Sequence, residues 1–201
     1  MTITYEYENN LYVNITNRCS NDCAFCLRNN PDNIYTQNSL WLEHEPTVEE
    51  IKQSFSARDI KKYKSIVFCG FGEPFERFFD CVELCGWLKK NYPDINIRVN
   101  TNGQANLICQ KDVTPYLEGN FDCISISLNA PNSKKYDLLC KSKFGEEAFD
   151  ALLDFAKKAT KYVPEVVLSI VDRDLSEEEK QLCRQIASNC GAKLRIREYI
   201  D

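Results

Sequence analysis

The chain has 201 residues, of which 43% are apolar and 27% charged, and its formal net charge is −5. This balance is typical of a folded globular protein and excludes an intrinsically disordered chain, while the acidic net charge gives no overall attraction to nucleic acid. Because the N-terminus has no signal-peptide pattern and no window approaches the roughly 20 apolar residues that span a bilayer, we expect a cytoplasmic single domain, residues 1–201, without membrane or nucleic-acid partners.

Short β-branched runs alternate with longer segments of helical periodicity along the whole chain. The predicted strands are 11–16, 65–70, 96–103, 123–130, 165–171 and 193–200. The predicted helical segments are 47–63, 76–92, 104–119, 145–162 and 176–191, with caps at Thr47, Ser176 and Gly191. A regular alternation of strand and helix predicts an α/β fold whose strands run parallel in one sheet.

Polar residues occupy every second position on three of the predicted strands. One face of 123–129 carries Cys123, Ser125, Ser127 and Asn129, and 96–102 and 12–16 alternate in the same way. A doubly wound sheet is covered by helices on both faces, so its strands are apolar throughout. A sheet with one polar face instead favours a partial (β/α)6 barrel, an open parallel sheet around a polar lumen.

Three cysteines lie close together in the segment 17–29, "NRCSNDCAFCLRN": Cys19, Cys23 and Cys26. They directly follow the first predicted strand, and loops after the strands of a parallel barrel form active sites. Thiolates suit zinc or an iron–sulfur cluster, and three ligands leave one coordination position open for a substrate or cofactor. The alternative is a structural zinc site completed by His44 or by a remote cysteine.

The other eight cysteines show no comparable clustering. Without a signal peptide, disulfides are not expected, so metal or redox chemistry is the better interpretation of the three clustered thiols. Most of the eight fall in apolar runs and are predicted to pack in the core: Cys69, Cys81, Cys85, Cys109, Cys123, Cys140, Cys183 and Cys190. Cys81 and Cys85 share a helical face, which leaves a second metal site as an alternative.

The pattern Cys19-x3-Cys23-x2-Cys26 resembles the signature of the radical S-adenosylmethionine (radical SAM) superfamily. The resemblance implies that these cysteines hold a 4Fe-4S cluster whose fourth iron is chelated by S-adenosylmethionine (SAM), with Phe25 near the adenine. "GFGEP" after the second strand resembles the family's Gly-Gly-Glu-Pro motif. This implies that Gly72 and Glu73 receive the amino group of SAM, although Phe71 replaces the first glycine.

Polar residues at later strand ends are further candidates for binding the cofactor. "NTNG" and "SLNA" place Asn100, Asn102, Ser127 and Asn129 at the same mouth, where they can bond ribose hydroxyls or a carboxylate. Asn-Gly is also a common turn pair, and Ser169 on the fifth strand is a weaker candidate. Lys193, Arg195 and Arg197 either face the lumen, where they meet an anionic ligand, or protect an open sheet edge from pairing, and we favour the edge. Arg98 faces either the lumen or a carboxylate.

The resemblance extends from the cysteine loop to the sixth strand. "YVNITNRCSNDCAFCLRN", "GFGEP" and "SISLNAP" are most similar to the small TatD-associated radical SAM proteins. This implies reductive cleavage of SAM to a 5′-deoxyadenosyl radical that abstracts hydrogen from an unidentified substrate. It also implies a flavodoxin- or ferredoxin-like electron donor and an association with a TatD-type nuclease, physical or only genetic.

Two questions stay open at the level of sequence. The substrate is either a macromolecule admitted by an open barrel or a small molecule covered by the long irregular loop 27–46, which we expect to be functional. The alternative function is that of an iron–sulfur electron-transfer or metal-binding protein without radical catalysis.

Overall fold

A computed structural model of the chain describes residues 1–29, 39–173 and 175–198. Seven strands form one sheet whose order in space is their order in sequence. They are β1 (Thr4–Tyr7), β2 (Asn10–Val13), β3 (Ser65–Phe68), β4 (Asn96–Thr101), β5 (Cys123–Ser127), β6 (Glu165–Asp172) and β7 (Lys193–Glu198). β1 pairs antiparallel with β2, and every later pair is parallel.

Helices connect the parallel strands. They are α1 (Val48–Ser56), α2 (Phe78–Asn91), α3 (Ala105–Cys109), α4 (Ser133–Cys140), α5 (Glu147–Ala159) and α6 (Glu177–Asn189). Because parallel crossovers are right-handed and the strand order never reverses, the helices lie on one side of the sheet. The predicted α/β fold with an open parallel sheet is confirmed. Within the described ranges, no helix has the length and hydrophobicity needed to cross a membrane.

The two faces of the sheet differ as the alternation predicts. The face toward the helices is apolar and fully buried, for example at Leu11, Phe68 and Ile126. The opposite face, called here the lumen face, carries the polar side chains: Tyr12, Arg98, Asn100, Ser125, Ser127 and Ser169. The edge-protection interpretation does not hold for Arg195, since its Nη2 donates to Ser125 Oγ at 3.2 Å across β6 on the lumen face.

Several element boundaries differ from the prediction. β1 was not predicted; it joins β2 through a turn in which Glu8 and Asn9 both have positive φ, the conformation of a tight hairpin. α4 was also missed, although Asn132 caps its first turn. The predicted helix 104–119 is α3 followed by a 3₁₀ turn, Thr114–Leu117, because Gln110 adopts a left-handed conformation that ends α3.

Other boundaries follow the prediction more closely. Thr47 and Ser176 form capping boxes with Glu50 and Glu179, and Gly191 has positive φ just after α6. The predicted helix 47–63 ends at Ser56 and continues as a 3₁₀ turn at Ile60–Lys62. Of the predicted loop 27–46, residues 30–38 lie outside the described residues, as do 199 and 200 of the last predicted strand.

Candidate cluster and cofactor site

The cysteine loop follows β2 at the carboxyl end of the sheet. Two of its backbone N–H groups, those of Asp22 and Ala24, donate to the carbonyls of Cys140 (3.0 Å) and Leu139 (2.9 Å) in the last turn of α4. The final carbonyls of a helix have no partner within the helix. The cysteine loop satisfies two of them, so α4, which sequence reasoning missed, positions the loop.

A network of buried polar side chains fixes the same loop. Gln104 is fully buried; its Nε2 donates to Asn21 Oδ1 and to the Tyr136 hydroxyl, both at 2.9 Å, and its Oε1 accepts from Ser142 Oγ at 3.0 Å. Asn21 Nδ2 also donates to the Tyr136 hydroxyl at 3.1 Å. Because an unpaired polar group is costly in a protein interior, a network bonded in this way favours one conformation of the loop.

The surroundings of the loop raise the pKa of two of its thiols. Burial, with a smaller contribution from Glu73, raises the pKa of Cys19 to about 12. A hydrogen bond with the Cys140 thiol, together with burial, raises the pKa of Cys23. Iron binds the thiolate, so cluster assembly must release protons from these groups. The Arg28 guanidinium, whose Nη2 donates to the Asn21 carbonyl at 3.2 Å, supplies a positive charge beside the ligands.

A single metal ion needs ligands that converge on one point. Within residues 1–29, 39–173 and 175–198, no three His, Cys, Asp or Glu side chains are grouped closely enough to hold a single metal ion. A mononuclear zinc site requires such convergence, whereas the cysteines of a four-iron cluster bind different irons. His44 instead contacts Glu50 Oε1 at 3.2 Å beside α1. His44, which the zinc alternative names, is thus engaged with α1.

The "GFGEP" segment packs directly against the residues that precede the first cysteine. Glu73 N donates to the Arg18 carbonyl at 2.8 Å. A Cβ added to Gly72 would lie 2.2 Å from the Thr16 carbonyl oxygen and 2.7 Å from that of Arg18, so only glycine permits this approach. The two loops that the family resemblance singled out are thus in contact.

The Glu73 carboxylate is only 4% exposed and accepts three hydrogen bonds. Its Oε1 accepts from Thr101 Oγ1 at 2.7 Å and from Phe75 N at 3.0 Å, and its Oε2 accepts from Asn102 N at 2.6 Å. Burial raises the pKa of Glu73 to about 7 in spite of these bonds. The carboxylate therefore links the segment after β3 to the end of β4.

We expect the raised pKa of Glu73 to make stability depend on pH. The folded state holds this proton more tightly than the unfolded state, whose pKa lies near 4.5, so the stability it contributes is present below pH 4.5 and is lost as the pH rises through 7. The loss is at most about 3 kcal/mol. Denaturant unfolding of the wild type and of Glu73→Gln at pH 5 to 8 measures this loss. If the unfolding free energy changed equally with pH in the two proteins, the raised pKa would not belong to Glu73.

Two of the predicted cofactor-binding residues, Asn102 and Asn129, lie beside the cysteine loop. Asn129 is buried beside the loop with φ +55°; its Nδ2 contacts Cys140 Sγ at 3.8 Å, and its Oδ1 is buried without a partner in the structure described. Asn102 Nδ2 donates to Ser20 Oγ at 2.8 Å, which ties β4 to the cysteine loop. Phe25 is half-buried against the core. Asn129 and Asn102 thus lie at the cysteine loop.

The remaining candidates lie along the lumen face. Ser127 is half-buried and directly opposite Ser169, which is buried and bonds the Ile126 carbonyl at 3.4 Å. Asn100 Oδ1 accepts from Arg98 Nε and Nη2 at 2.9 and 2.7 Å. These residues thus share the lumen face of β4, β5 and β6.

The cysteines outside the loop follow the core prediction only in part. Five are buried as predicted: Cys81, Cys85, Cys140, Cys183 and Cys190. Cys69, Cys109 and Cys123 are half-buried, and Cys69 and Cys123 alternate with core residues onto the lumen face. Sequence reasoning treated Cys140 only as core, although its thiol contacts Cys23. An apolar position near the end of "SKKYDLLC" carries no signal for such a contact.

A comparison with models of protein families matches residues 13–186 to the radical SAM superfamily. The chain belongs to this superfamily. Radical SAM proteins use a 4Fe-4S cluster and SAM as cofactors and generally need an electron donor. The family predicted from the cysteine motif is confirmed, and the match includes every residue of the cysteine loop, the "GFGEP" segment and the polar strand ends.

Solved radical SAM structures have the same fold at low sequence identity. SuiB of Streptococcus suis bound to the precursor peptide SuiA has a TM-score of 0.72 at 17% identity, covering 98% of this chain and 40% of SuiB. TYW1 with a lysine-pyruvate adduct bound has a TM-score of 0.65 at 17% identity, covering 96% of this chain and 65% of TYW1. AnSMEcpe with bound AdoMet has a TM-score of 0.64 at 18% identity, covering 94% of this chain and 51% of anSMEcpe. This chain thus spans less than two thirds of each. No curated protein matches it.

The residues present fit the radical SAM cofactors. Three free thiols with no disulfide are the donor set that a 4Fe-4S cluster requires when one iron is left open. The partnerless Asn129 Oδ1 is buried next to the cysteine loop, and a buried acceptor without a donor indicates a missing ligand. A ligand N–H or O–H at this position would satisfy it.

Proposed function

We propose that this chain is a radical SAM enzyme of the TatD-associated type. Bound together, the cluster and SAM would supply a 5′-deoxyadenosyl radical that takes a hydrogen atom from the substrate. The observation that carries the proposal is that the cysteine loop and the "GFGEP" segment are joined at the mouth of the sheet by Glu73 N and the Arg18 carbonyl. An electron-transfer protein would not need this second loop.

The chain's own residues would have distinct roles. Cys19, Cys23 and Cys26 would bind three irons. Gly72 would let the backbone approach the amino group of SAM, and Glu73, engaged by three donors, would hold that backbone in place while its charge attracts the ammonium. The residues we assign to the rest of SAM are Phe25, Asn100, Asn102, Ser127, Asn129 and Ser169.

The wider context is also part of the proposal. We propose a single domain over residues 1–201, a flavodoxin- or ferredoxin-like electron donor, a cytoplasmic location and an association with a TatD-type nuclease. SuiB is bound to a precursor peptide and TYW1 carries a lysine-pyruvate adduct, so the similar structures do not agree on one substrate class. The substrate must be inferred from the lumen face of this chain.

The test is anaerobic reconstitution with iron and sulfide, followed by reduction and addition of SAM. We expect a cluster signal in electron paramagnetic resonance that changes when SAM is added, and formation of 5′-deoxyadenosine. Both should be lost in Cys23→Ala and retained in Cys109→Ala, a half-buried cysteine on α3. A cluster that forms and ignores SAM would reject radical catalysis and leave electron transfer as the function.

A further inference from the structure

Three arginines occupy the lumen face near one another. Arg98 lies on β4, and Arg195 and Arg197 lie on β7, where they pair in register with Ser169 and Val171 of β6. The alternation of side chains therefore places Arg195 and Arg197 on the lumen face. We call Arg98, Arg195 and Arg197 the arginine patch.

The part of the chain that the structure describes offers the arginine patch no ion pair. Among the residues described, no ion pair joins any of its three guanidinium groups to a carboxylate. The charge of Arg98 reaches Glu165, but that carboxylate bonds Lys193 Nζ at 2.8 Å. Burial, with the charges of Arg98 and Arg197, lowers the pKa of Arg195. The three cations thus repel one another, and no ion pair among the residues described offsets this repulsion.

Arg195 carries an additional sign of a missing ligand. Its Nη2 donates to Ser125 Oγ at 3.2 Å, whereas its Nε is buried and has no hydrogen-bond partner in the structure described. A buried donor without an acceptor costs free energy, and an arginine fork matches the two oxygens of a carboxylate or phosphate. A residue that only protected the sheet edge would extend into solvent and would not leave a buried N–H unbonded.

The arginine patch lies near the cysteine loop and near an aromatic wall, which Tyr5 and Tyr12 form on the lumen face. Tyr12, on which the charge of Arg98 acts, stacks against Tyr5 with ring centroids 5.2 Å apart. The charge of Arg197 is close enough to act on Cys23 and Cys69. A ligand held by the patch would therefore lie near both the aromatic wall and the proposed cluster.

We propose that the arginine patch binds the carboxylate or phosphate of a small anionic substrate. This inference rests on the radical SAM function proposed above and names its substrate class. The anion would be anchored between β4 and β7, so that the remainder of the molecule can extend toward the cysteine loop. A cationic substrate would be excluded by the charge of the patch.

The probes are inorganic phosphate and succinate, titrated at constant ionic strength into the anaerobic, reconstituted protein. The readout is the ¹H–¹⁵N spectrum of the arginine Nε–H groups, assigned with Arg98→Gln, Arg195→Gln and Arg197→Gln. We expect a saturable shift of the Arg195 signal, with affinity about tenfold weaker in Arg98→Gln and in Arg197→Gln. Arg184, exposed on α6, is the matched control and should not shift. The tighter probe identifies phosphate or carboxylate as the recognised group.

Two results would overturn the inference. A missing shift, or an equal shift at Arg184, would show that the arginine patch has no specific anion site. Loss of the SAM-induced change of the cluster signal in Arg195→Gln would show that the patch serves the cofactor's carboxylate and not the substrate. Failure of the proposed function is separate, since it would appear as a wild-type cluster that ignores SAM while the Arg195 shift persists.

Discussion

Replacing Gly72 by alanine will prevent the chain from holding an iron–sulfur cluster. The new Cβ would lie 2.2 Å from the Thr16 carbonyl oxygen and 2.7 Å from that of Arg18, distances that no real Cβ tolerates. The "GFGEP" segment must move away, which breaks the bond from Glu73 N to Arg18 and displaces the residue next to Cys19. We expect little bound iron after reconstitution and a melting temperature lower by roughly 2–12 °C.

The matched control is Gly86→Ala. Gly86 lies in the middle of α2, and nothing lies within 4 Å of a Cβ added there. Glycine inside a helix is less stable than alanine, so this variant should gain about 0.5–1 kcal/mol and bind iron normally. Normal iron binding by Gly72→Ala would contradict the role assigned to the contact between the two loops.

Replacing Gln104 by alanine will cost about 3–5 kcal/mol of unfolding free energy. The side chain is fully buried and bonds Asn21, Tyr136 and Ser142, so its removal leaves three buried polar groups short of a partner and opens a cavity. Because Asn21 lies within the cysteine loop, we also expect the cluster to be lost faster on exposure to air. Denaturant unfolding and the decay of the cluster absorbance measure the two effects.

Gln181→Ala provides the comparison for Gln104→Ala. Gln181 is exposed on α6 and bonds only Arg184 among the residues described. Its removal should change the unfolding free energy by less than about 0.5 kcal/mol. If Gln104→Ala were as stable as Gln181→Ala, the buried network would not be what holds the cysteine loop.

Local patterns predicted the fold because its features are local. Alternation along 96–102 and 123–129 identified the lumen face, and Thr47 and Ser176 marked where helices begin. The failures have local causes as well. β1 is a four-residue strand of mixed polarity, "TYEY", that is recognisable only from its pairing with β2. α4 is short and amphipathic only weakly, so its position is decided by packing and not by its own periodicity.

The site was predicted only where a motif lies within one loop. Cys19, Cys23 and Cys26 are neighbours in sequence, and Glu73 ends a strand, so both were found. The contacts of Gln104 with Asn21 and of Cys140 with Cys23 join segments far apart in the chain. No property of one segment announces such contacts, because they depend on the relative position of strands and helices that only the folded chain establishes.

The dependence of the cysteine loop on α4 has a consequence for the timing of synthesis. Asn21 and its partner Tyr136 are separated by 115 residues. At about 5–20 residues per second, a ribosome needs roughly 6–23 s to make the stretch between them. During this interval the three cysteines have been made, but α4, which positions their loop, has not. Iron delivered then would meet cysteines that are not yet held in place. We therefore expect the cluster to be inserted after the chain is complete.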